Sequence, residues 1–382
     1  MINGLALNLL GRVHFLDHFA PICEALDLPM IVCEEVHREV AARYYPGLRI
    51  DVIPKDQLSA DDITSRYDVL FQSQPSLARE AEFIAAGIDA SAAGVPPQWR
   101  GIMEALTTRG AERARPITWV FCPHGYSGKP SWLKRSAFEQ VTLVYGDAMM
   151  DRYRELGLTQ YLGQTLAIGN QRLGYYERHR VELDALVAEE CKGHLRPGAR
   201  TIMYAPTWNE GEGATSFFSG CELLLKTLPD EHNLIVKLHP LMTIQSVPDV
   251  VRLKERHQDR PNVLFLAEHP LVYPLLSLCD VFVGDTSSVG YDFLSFDRPM
   301  FFLNQQHRDM SEDHELYLFR CGTVVTPDEY PQLFSIIDRG LATDREKFGS
   351  MRAEAAKHVF APTLSPAQLR VGIEEAVANA RR

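Results

Sequence analysis

Residues 281–293 read VFVGDTSSVGYDF, and this stretch decides the fold of the second half of the chain. An apolar run at 281–283 ends at Gly284, and hydroxyl and carboxylate residues follow before an apolar pattern with helical spacing. A strand that passes through a short turn into a helix is typical of a parallel sheet covered by helices. The stretch therefore predicts the carboxyl end of a buried parallel strand, which is where such sheets bind their ligands.

The turn in this stretch predicts a phosphate site. At a helix start the N–H groups lack partners and carry roughly half a positive charge, which suits a diphosphate without a lysine or a metal ion. Ordinary N-capping by one of these side chains is the alternative interpretation. Because capping needs a single residue, the run of four favours phosphate binding. The predicted phosphate ligands are Asp285, Thr286, Ser287 and Ser288.

The same order of strand, loop and helix recurs along the chain. In the second half, strands are predicted at 200–204, 234–238, 263–266, 281–283 and 299–303, with closing helices at 345–358 and 365–380. In the first half, strands are predicted at 4–10, 29–33, 67–72, 117–122 and 141–145, with helices at 14–26 and 76–86. Strands that alternate with helices indicate doubly wound parallel sheets, so the predicted fold class is α/β.

A loop segment with Pro and Gly at 196–200 separates two such series of alternating strands and helices. A length of 382 residues also suits two domains better than one core. We therefore expect a Rossmann-like first domain over 1–168, a junction over 169–199 and a second Rossmann-like domain over 200–360. The remaining residues, 361–382, are expected to form a helix that crosses back to the first domain.

The composition argues against several classes of protein. Lys and Arg total 39 against 50 Asp and Glu, which argues against a general nucleic-acid binder. The seven cysteines form no C-x-x-C pair, so a reducing, cytoplasmic compartment is expected. No apolar stretch approaches the roughly 20 residues that span a bilayer, so any membrane contact is expected to be peripheral, at the inner face of the plasma membrane. The short patch of Lys129, Lys134 and Arg135 is a candidate for that contact, with a solvated loop as the alternative.

A histidine-glycine loop follows the strand predicted at 117–122, where the chain reads PHGYSGK over 123–129. His124 could take a proton from an acceptor hydroxyl, because the unperturbed pKa of histidine lies near neutral pH. Gly125 allows the backbone to approach a ligand closely. The alternative is a histidine that only hydrogen-bonds its own turn. On the first helix, His14, Asp17 and His18 share a face and either line this edge of the sheet or serve as plain helix residues.

Two more strand ends carry polar residues in the second half. A proline stops the predicted strand at 200–204 and places Thr207 to offer its hydroxyl to a phosphate. His239 ends the strand predicted at 234–238 and could donate to an anionic oxygen, with Lys237 as a more ambiguous neighbour. A buried histidine with ordinary partners is the alternative for His239.

Neither a metal ion nor a cofactor is predicted. The sequence contains no H-E-x-x-H, no D-x-D and no cluster of Cys and His. It also lacks G-x-G-x-x-G, a Walker loop and G-x-S-x-G, which removes the commonest dinucleotide, NTPase and hydrolase interpretations.

Taken together, these loops resemble those of the CDP-glycerol glycerophosphotransferase family, the teichoic-acid and capsule polymer enzymes with a GT-B fold. The family pattern H-G-T-P-x-K is met by His124, Gly125 and Lys129, with other residues at its Thr and Pro. Its Y-A-P-T-W is present unchanged at 204–208, and its K/R-x-H-P is present at 237–240. Its T-D-Y-S-S-V corresponds to GDTSSV at 284–289, and its R-P-M is present at 298–300. The resemblance covers about 117–303.

Two departures limit the resemblance. The family's G-x-P-R-x-D appears as GNQRLG at 169–174, which keeps Gly and Arg but loses Pro and Asp. Asn209 stands where the family often carries Arg after the Trp. The tail of the donor, or the acceptor, is therefore expected to differ.

The resemblance implies two Rossmann-like domains facing across a cleft, and it implies a reaction. An acceptor hydroxyl would attack the β-phosphorus of a CDP-linked polyol such as CDP-glycerol, and CMP would leave. His124 would act as the base, while His239, Ser287, Ser288 and the helix start would stabilise the phosphoryl charge. The full set of further implied residues is Thr207, Lys237, Asp285, Thr286 and Arg298 for the donor, Ala267, His269 and Leu271 for the cytosine, and His18, Gly125 and Lys129 for the acceptor.

The expected partners are a nucleotide-linked donor and a glycan, polymer or lipid-linked acceptor, with no nucleic acid. A GT-B glycosyltransferase is the second interpretation, and it would release a nucleoside diphosphate instead of CMP. A non-catalytic nucleotide or polymer binder is the third, and it would bind donor without forming an acceptor-dependent product.

Overall fold

The protein forms two compact units in a computed structural model that describes residues 2–9, 12–73, 84–87, 97–127, 129–208, 215–267, 269–311 and 313–382. The first unit comprises Met1–Glu177 and His358–Arg382, and the second comprises Arg178–Lys357. The change from one unit to the other after Glu177 falls within the segment expected as the junction, and the chain returns to the first unit at His358.

A seven-stranded parallel sheet forms the centre of the first unit, in the order β3-β2-β1-β4-β5-β6-β7. Its strands are β1 (Gly4–Asn8), β2 (Pro29–Val32), β3 (Arg49–Val52), β4 (Val69–Gln72), β5 (Thr118–Phe121), β6 (Val141–Val144) and β7 (Gln164–Ala167). The winding direction reverses between β1 and β4, which pair in parallel. This reversal is the position at which open parallel sheets bind ligands, beyond the carboxyl ends of the strands.

A six-stranded parallel sheet forms the centre of the second unit, in the order β10-β9-β8-β11-β12-β13. Its strands are β8 (Arg200–Ala205), β9 (His232–Lys237), β10 (Val263–Leu266), β11 (Val281–Gly284), β12 (Met300–Leu303) and β13 (Thr323–Val325). The winding reverses between β8 and β11, where Gly284 pairs with Ala205. The residues that follow these two strands therefore meet at the reversal.

Helices connect the strands in both units. In the first unit they are α1 (Phe15–Leu26), α2 (Glu35–Tyr44), α3 (Ala60–Arg66), α4 (Pro97–Ala111), α5 (Pro130–Ser136) and α6 (Asp147–Glu155), and α7 (Gln171–Arg178) ends at the boundary. In the second they are α8 (Arg180–Cys191), α9 (Glu222–Thr227), α10 (Met242–Gln245), α11 (Val247–His257), α12 (Tyr273–Leu278), α13 (Ser288–Phe293), α14 (Leu333–Leu341) and α15 (Asp344–Val359). The last helix is α16 (Pro366–Ala380).

Single helical turns fill several remaining connections. They are 3-10 turns at Lys55–Gln57, Thr159–Tyr161, Leu294–Phe296, His314–Cys321 and Pro327–Gln332, and a π-helical turn at Phe217–Cys221.

The structure confirms the two-domain α/β fold and every strand predicted from an apolar run. Central strands such as β4, β5, β6 and β11 are buried along their whole length, because helices cover both faces of a doubly wound sheet. The sequence missed β3, β7 and β13, which form edges of the two sheets. Their side chains are partly exposed, so they carry polar residues and lack the continuous apolar run that marks a central strand. The helix predicted at 76–86 lies mostly outside the described residues, as does Leu10.

The crossover segment and α16 pack on the first unit, where α16 contacts α1 and β7. The segment passes so close to Gly169 that a Cβ there would lie 2.5 Å from the carbonyl oxygen of Ala361. Gly169 also has a φ of +67°, which favours glycine. Only glycine therefore fits where the returning chain crosses the end of β7.

Each unit buries its own apolar core against its sheet. In the first unit the cluster includes Leu5, Leu70 and Trp119 from neighbouring strands. In the second it includes Ile202, Leu234 and residues from the last helices. These cores hold the strands in register, and they thereby fix the loops at the carboxyl ends.

Candidate functional site

The loops after β8 and β11 meet at the reversal of the second sheet. Asp285, directly after β11, accepts a hydrogen bond from the backbone N–H of Thr207, with 2.7 Å between Oδ1 and N. Thr207 is itself buried. The structure therefore brings together two residues that the sequence placed at separate strand ends.

Asp285 has a further set of partners inside the protein. Its Oδ2 accepts from both the backbone N–H and the hydroxyl of Ser216, each at 2.8 Å. Since the Ser216 hydrogen is used there, the hydroxyl of Tyr204 donates to Ser216 Oγ at 2.9 Å. Burial, with added repulsion from Cys221 and Asp285, raises the pKa of Tyr204 well above its usual value, so this donor stays protonated. The Asp285 carboxylate thus stabilises the ends of the loops, and its assignment to phosphate stays a prediction.

The turn after Asp285 contains a buried hydroxyl with no hydrogen-bond partner in the described part of the chain. This atom is Oγ1 of Thr286, a residue with only 6% of its surface exposed. Ser287 is the N-cap of α13 with an extended backbone, yet its side chain makes no capping bond to the described residues. Capping by Ser287 therefore does not account for the run of hydroxyls. Helix α13 spans only Ser288–Phe293, so any ligand would meet local N–H groups rather than a long aligned helix.

His239 lies at the end of the neighbouring strand β9 and is half-buried. Its Nδ1 accepts a hydrogen bond from the backbone N–H of Leu241 at 3.1 Å. Since Nδ1 is an acceptor, the ring hydrogen lies on Nε2, which can then donate. The indole of Trp208 lies beside it, with ring centroids 6.1 Å apart. His239 is therefore a hydrogen-bond donor through Nε2, and its contact with an anion stays a prediction.

Lys237, the last residue of β9, has a different partner from the one predicted. Its Nζ donates to the carbonyl oxygen of His269 at 3.2 Å, and the residue is buried. The contact ties β9 to the loop that follows β10. The assignment of Lys237 to the donor phosphate stays a prediction.

The loop predicted to read the base follows β10. Of its residues, Ala267 is half-buried and Leu271 is buried, while Glu268 lies outside the described residues. The ring of His269 contacts the carbonyl oxygen of Leu271 through Nδ1 at 3.0 Å and the carboxylate of Glu190 through Nε2 at 2.8 Å. The ring therefore holds the loop, and the reading of a base by the backbone groups of the loop stays a prediction.

Arg298 lies at the other end of the sheet from the phosphate turn, directly before β12. Its Nη1 donates to the carbonyl oxygens of Ser277 at 2.8 Å and Cys279 at 2.5 Å, at the C-terminus of α12. Its guanidinium also lies over the ring of Phe296, 5.3 Å from the centroid. A cation placed at a helix C-terminus satisfies carbonyls that have no partner in the helix. The structure thus gives Arg298 a stabilising place, and its predicted contact with the donor stays untested.

In the first unit, His124 lies after β5 on a clamped loop. The hydroxyl of Tyr145 accepts from the backbone N–H of Gly125 at 2.8 Å and donates to the carbonyl of Pro123 at 3.1 Å. Gly125 has a φ of +116°, which disfavours other residues. Tyr145 therefore fixes the backbone on both sides of His124. Sequence analysis assigned no role to Tyr145, because only the fold reveals this contact.

Helix α1 brings aromatic and imidazole rings to His124. The His124 ring lies 5.0 Å from that of Phe15 and 6.3 Å from that of His18, in an edge-on arrangement with His18. Burial lowers the pKa of His18 well below its usual value, with smaller contributions from Arg172, His124 and His14. His18 is therefore neutral near pH 7. It can donate or accept a hydrogen bond without adding charge.

A buried ion pair lies next to these rings. Asp17 accepts from the hydroxyl of Tyr45 at 3.0 Å and pairs with Arg172, whose Nη1 lies 3.3 Å from Oδ2. Both charged side chains are more than nine-tenths buried. Arg172 belongs to the GNQRLG segment, so the arginine that the family pattern retains is used here to anchor α1.

The predicted basic patch is not a continuous exposed surface. Lys129 is buried, whereas Lys134 is exposed. The side chain of Arg135 and the residues Gly128 and Asn209 lie outside the described part. Among the helices described, none is long and apolar enough to cross a membrane. Within the same residues, no group of three or more His, Cys, Asp or Glu side chains could hold a metal ion.

Comparison with known proteins supports the predicted resemblance. Residues 176–325 match the model of the CDP-glycerol:poly(glycerophosphate) glycerophosphotransferase family. This segment contains Thr207, His239 and the turn at 285–288. No curated protein sequence matches the chain.

The fold is similar to that of several solved proteins. The wall teichoic acid polymerase TagF aligns with a TM-score of 0.63 at 14% identity, over 99% of this chain and 89% of that one. Anabaena Alr3699/HepE in complex with UDP and glucose aligns with a TM-score of 0.53 at 12% identity, over 99% of this chain and 100% of that one. The UDP-GlcNAc 2-epimerase from Neisseria meningitidis bound to UDP-GlcNAc aligns with a TM-score of 0.53 at 12% identity, over 98% and 99%. The fold is therefore of the GT-B type.

Proposed function

We propose, from the premise that this chain is a CDP-glycerol glycerophosphotransferase-like enzyme, that it transfers a polyol phosphate from a CDP-linked donor to a hydroxyl of a cell-surface glycan or polymer and releases CMP. The observation that carries the proposal is the Thr286 hydroxyl, buried without a partner in the described residues beside the start of α13. A buried hydroxyl that makes no hydrogen bond is costly, and a phosphate oxygen would satisfy it. The matched segment 176–325 includes this turn.

The spacing of the strands supports a nucleotide that lies along the carboxyl edge of the second sheet. The strands follow one another in the order β10-β9-β8-β11, so the phosphate turn and the base loop lie three strand steps apart. At about 4.8 Å a step this is roughly 14 Å, which an extended nucleotide can bridge. We place the diphosphate at Thr286 to Ser288 and the base at His269 to Leu271.

The proposed chemistry is a phosphoryl transfer. The acceptor oxygen forms a bond to the β-phosphorus, the bond from that phosphorus to the bridging oxygen breaks, and CMP leaves with the bonding electron pair. His124 takes the hydroxyl proton, while Nε2–H of His239 and the hydroxyls of Thr286 and Ser288 stabilise charge on the phosphoryl oxygens. Gly125, His18 and Lys129 are proposed to contact the acceptor.

No metal ion or cofactor takes part in the proposed reaction. The acceptor, whether glycan, polymer or lipid-linked, would be met in the cytoplasm, with peripheral contact at the inner face of the plasma membrane. These parts of the proposal rest on the sequence patterns.

Identification of the released nucleotide tests the proposal. The purified chain is incubated with CDP-glycerol and candidate acceptors, with and without a chelator, and the nucleotide product is resolved by chromatography. We expect acceptor-dependent CMP at the same rate in both. CDP or UDP released from a nucleotide sugar would establish the glycosyltransferase alternative. Donor binding without any acceptor-dependent product would establish a binding protein.

A further inference from the structure

We infer that the contact between the Glu190 carboxylate and the His269 ring fixes the turn His269–Leu271 and so positions the nucleoside end of the donor. The inference rests on the proposed function, because it assigns the base to this turn. Neither residue is proposed to touch the reacting phosphorus, so both are positioning residues.

The His269 ring is held through both of its nitrogens. Nδ1 lies 3.0 Å from the carbonyl oxygen of Leu271, two residues along the same turn. Nε2 lies 2.8 Å from the carboxylate of Glu190 on α8. The ring therefore links the turn to α8.

The pair is shielded from solvent. The His269 side chain is 8% exposed and the Glu190 side chain is 18% exposed. Little water competes for this contact, so its loss costs more than the loss of the same contact on an exposed surface.

The turn is held from three directions. Nδ1 of His269 closes the turn onto Leu271, Glu190 on α8 holds the ring, and Lys237 at the end of β9 donates to the His269 carbonyl at 3.2 Å. The backbone that faces the proposed base is therefore set before a ligand arrives, which lowers the ordering cost of binding.

Helix α8 contacts the same segment a second time. Helix α12 packs against α8, and the hydroxyl of Ser277 on α12, which donates to the carbonyl of Pro274 at 2.8 Å, lies 3.4 Å from the Asp184 carboxylate of α8. Because α8 is braced in this way, removal of Glu190 is expected to free the turn without displacing the helix. The phosphate turn at Thr286 to Ser288 makes none of its described contacts with Glu190 or His269.

The contact between the two side chains can be observed directly by NMR. Protein labelled with ¹⁵N-histidine is compared with the variant His269→Gln to assign the ring signals. We expect the His269 ring signals to move in Glu190→Ala and to stay in place in Glu189→Ala. Unchanged ring signals in Glu190→Ala would contradict the contact.

Binding measurements test whether the pair positions the nucleoside. Calorimetry with CDP and with inorganic pyrophosphate is carried out on the full chain, on Glu190→Ala and Glu190→Gln, and on the control Glu189→Ala. Glu189 is the neighbouring residue on α8, and its side chain is 74% exposed and pairs with Lys192. Thermal unfolding checks that each variant is folded.

We expect Glu190→Ala to weaken CDP binding by roughly tenfold and Glu190→Gln by less, because the amide oxygen can still accept from Nε2. Pyrophosphate binding and the control should be unchanged within about twofold, and kcat should change far less than KM for the donor. Equal CDP affinity in Glu190→Ala and the wild type, or an equal loss for pyrophosphate, would overturn the inference alone. Absence of CDP binding by the wild-type chain would overturn the proposed function as well.

Discussion

The two sheets carry different chemistry at the same topological position. In the second unit, hydroxyls follow β11 at the reversal, and the Asp285 carboxylate accepts from the backbone of Thr207 and from the backbone and hydroxyl of Ser216. In the first unit, imidazoles from α1 and the loop after β5 lie beside the ion pair of Asp17 and Arg172. The comparison teaches that the same position of two similar sheets can present hydroxyls and backbone groups in one unit and imidazole rings beside an ion pair in the other.

The largest expected effect on activity comes from replacing His124 in the first unit or His239 in the second. His124→Ala and His239→Ala should each reduce kcat/KM by at least about a hundredfold, as expected for a base and a charge-stabilising donor. The matched control is His194→Ala, because His194 is exposed on a turn of the second unit. Steady-state release of CMP gives the rates.

The same two variants can separate the roles. An acceptor with a more acidic hydroxyl needs less help from a base, so it should recover part of the rate lost in His124→Ala but none of that lost in His239→Ala. Equal recovery in both variants would contradict the division of labour between the two edges.

The next effect concerns stability, at the two ends of β11. Asp285→Ala leaves three buried hydrogen-bond donors without their acceptor, so it should lower the free energy of unfolding by about 3 kcal/mol. Asp280 is exposed directly before β11 and accepts one described bond, from the backbone N–H of Thr201, so Asp280→Ala should cost about 1 kcal/mol. Urea unfolding measures both. A smaller loss for Asp285→Ala than for Asp280→Ala would refute the structural role of Asp285.

The smallest effect is a pH dependence in the first unit. Burial holds the pKa of His18 well below its usual value of 6.5, so below pH 6.5 the unfolded chain binds a proton that the folded chain does not. The contribution of His18 to the free energy of unfolding is therefore fully present above pH 6.5. Below that pH the free energy of unfolding decreases, by at most about 1.4 kcal/mol per pH unit. His18→Gln should unfold with a flatter pH dependence than the wild type between pH 7.5 and 5.5. A slope equal to that of His194→Gln would show that His18 is not buried as a neutral ring.

The sequence predicted the central strands because burial on both faces produces continuous apolar runs. It also placed Thr207, His239 and Thr286 at the correct ends of their strands. It could not show which polar neighbours these residues meet. The bond between Asp285 and Thr207 joins residues 78 apart, and the pair of Asp17 and Arg172 joins residues 155 apart.

Residue type alone also misleads at a strand end. The sequence interprets Lys237 and Arg298 as cations for a phosphate; the structure adds that both donate to backbone carbonyls, and the phosphate role stays a prediction. A cation can neutralise a ligand or satisfy an orphaned carbonyl, and only the fold distinguishes these uses. The role of Tyr145 beside His124 had no sequence signal, because a tyrosine at the end of a strand is common in cores.

A crystal structure of the protein with CDP bound tests the placement of the donor most directly. We expect a diphosphate oxygen within about 3 Å of the Thr286 hydroxyl, another accepting from Nε2 of His239, and the cytosine against the backbone of His269 to Leu271. A diphosphate bound away from the turn that follows β11, with the Thr286 hydroxyl still lacking a partner, would contradict this placement.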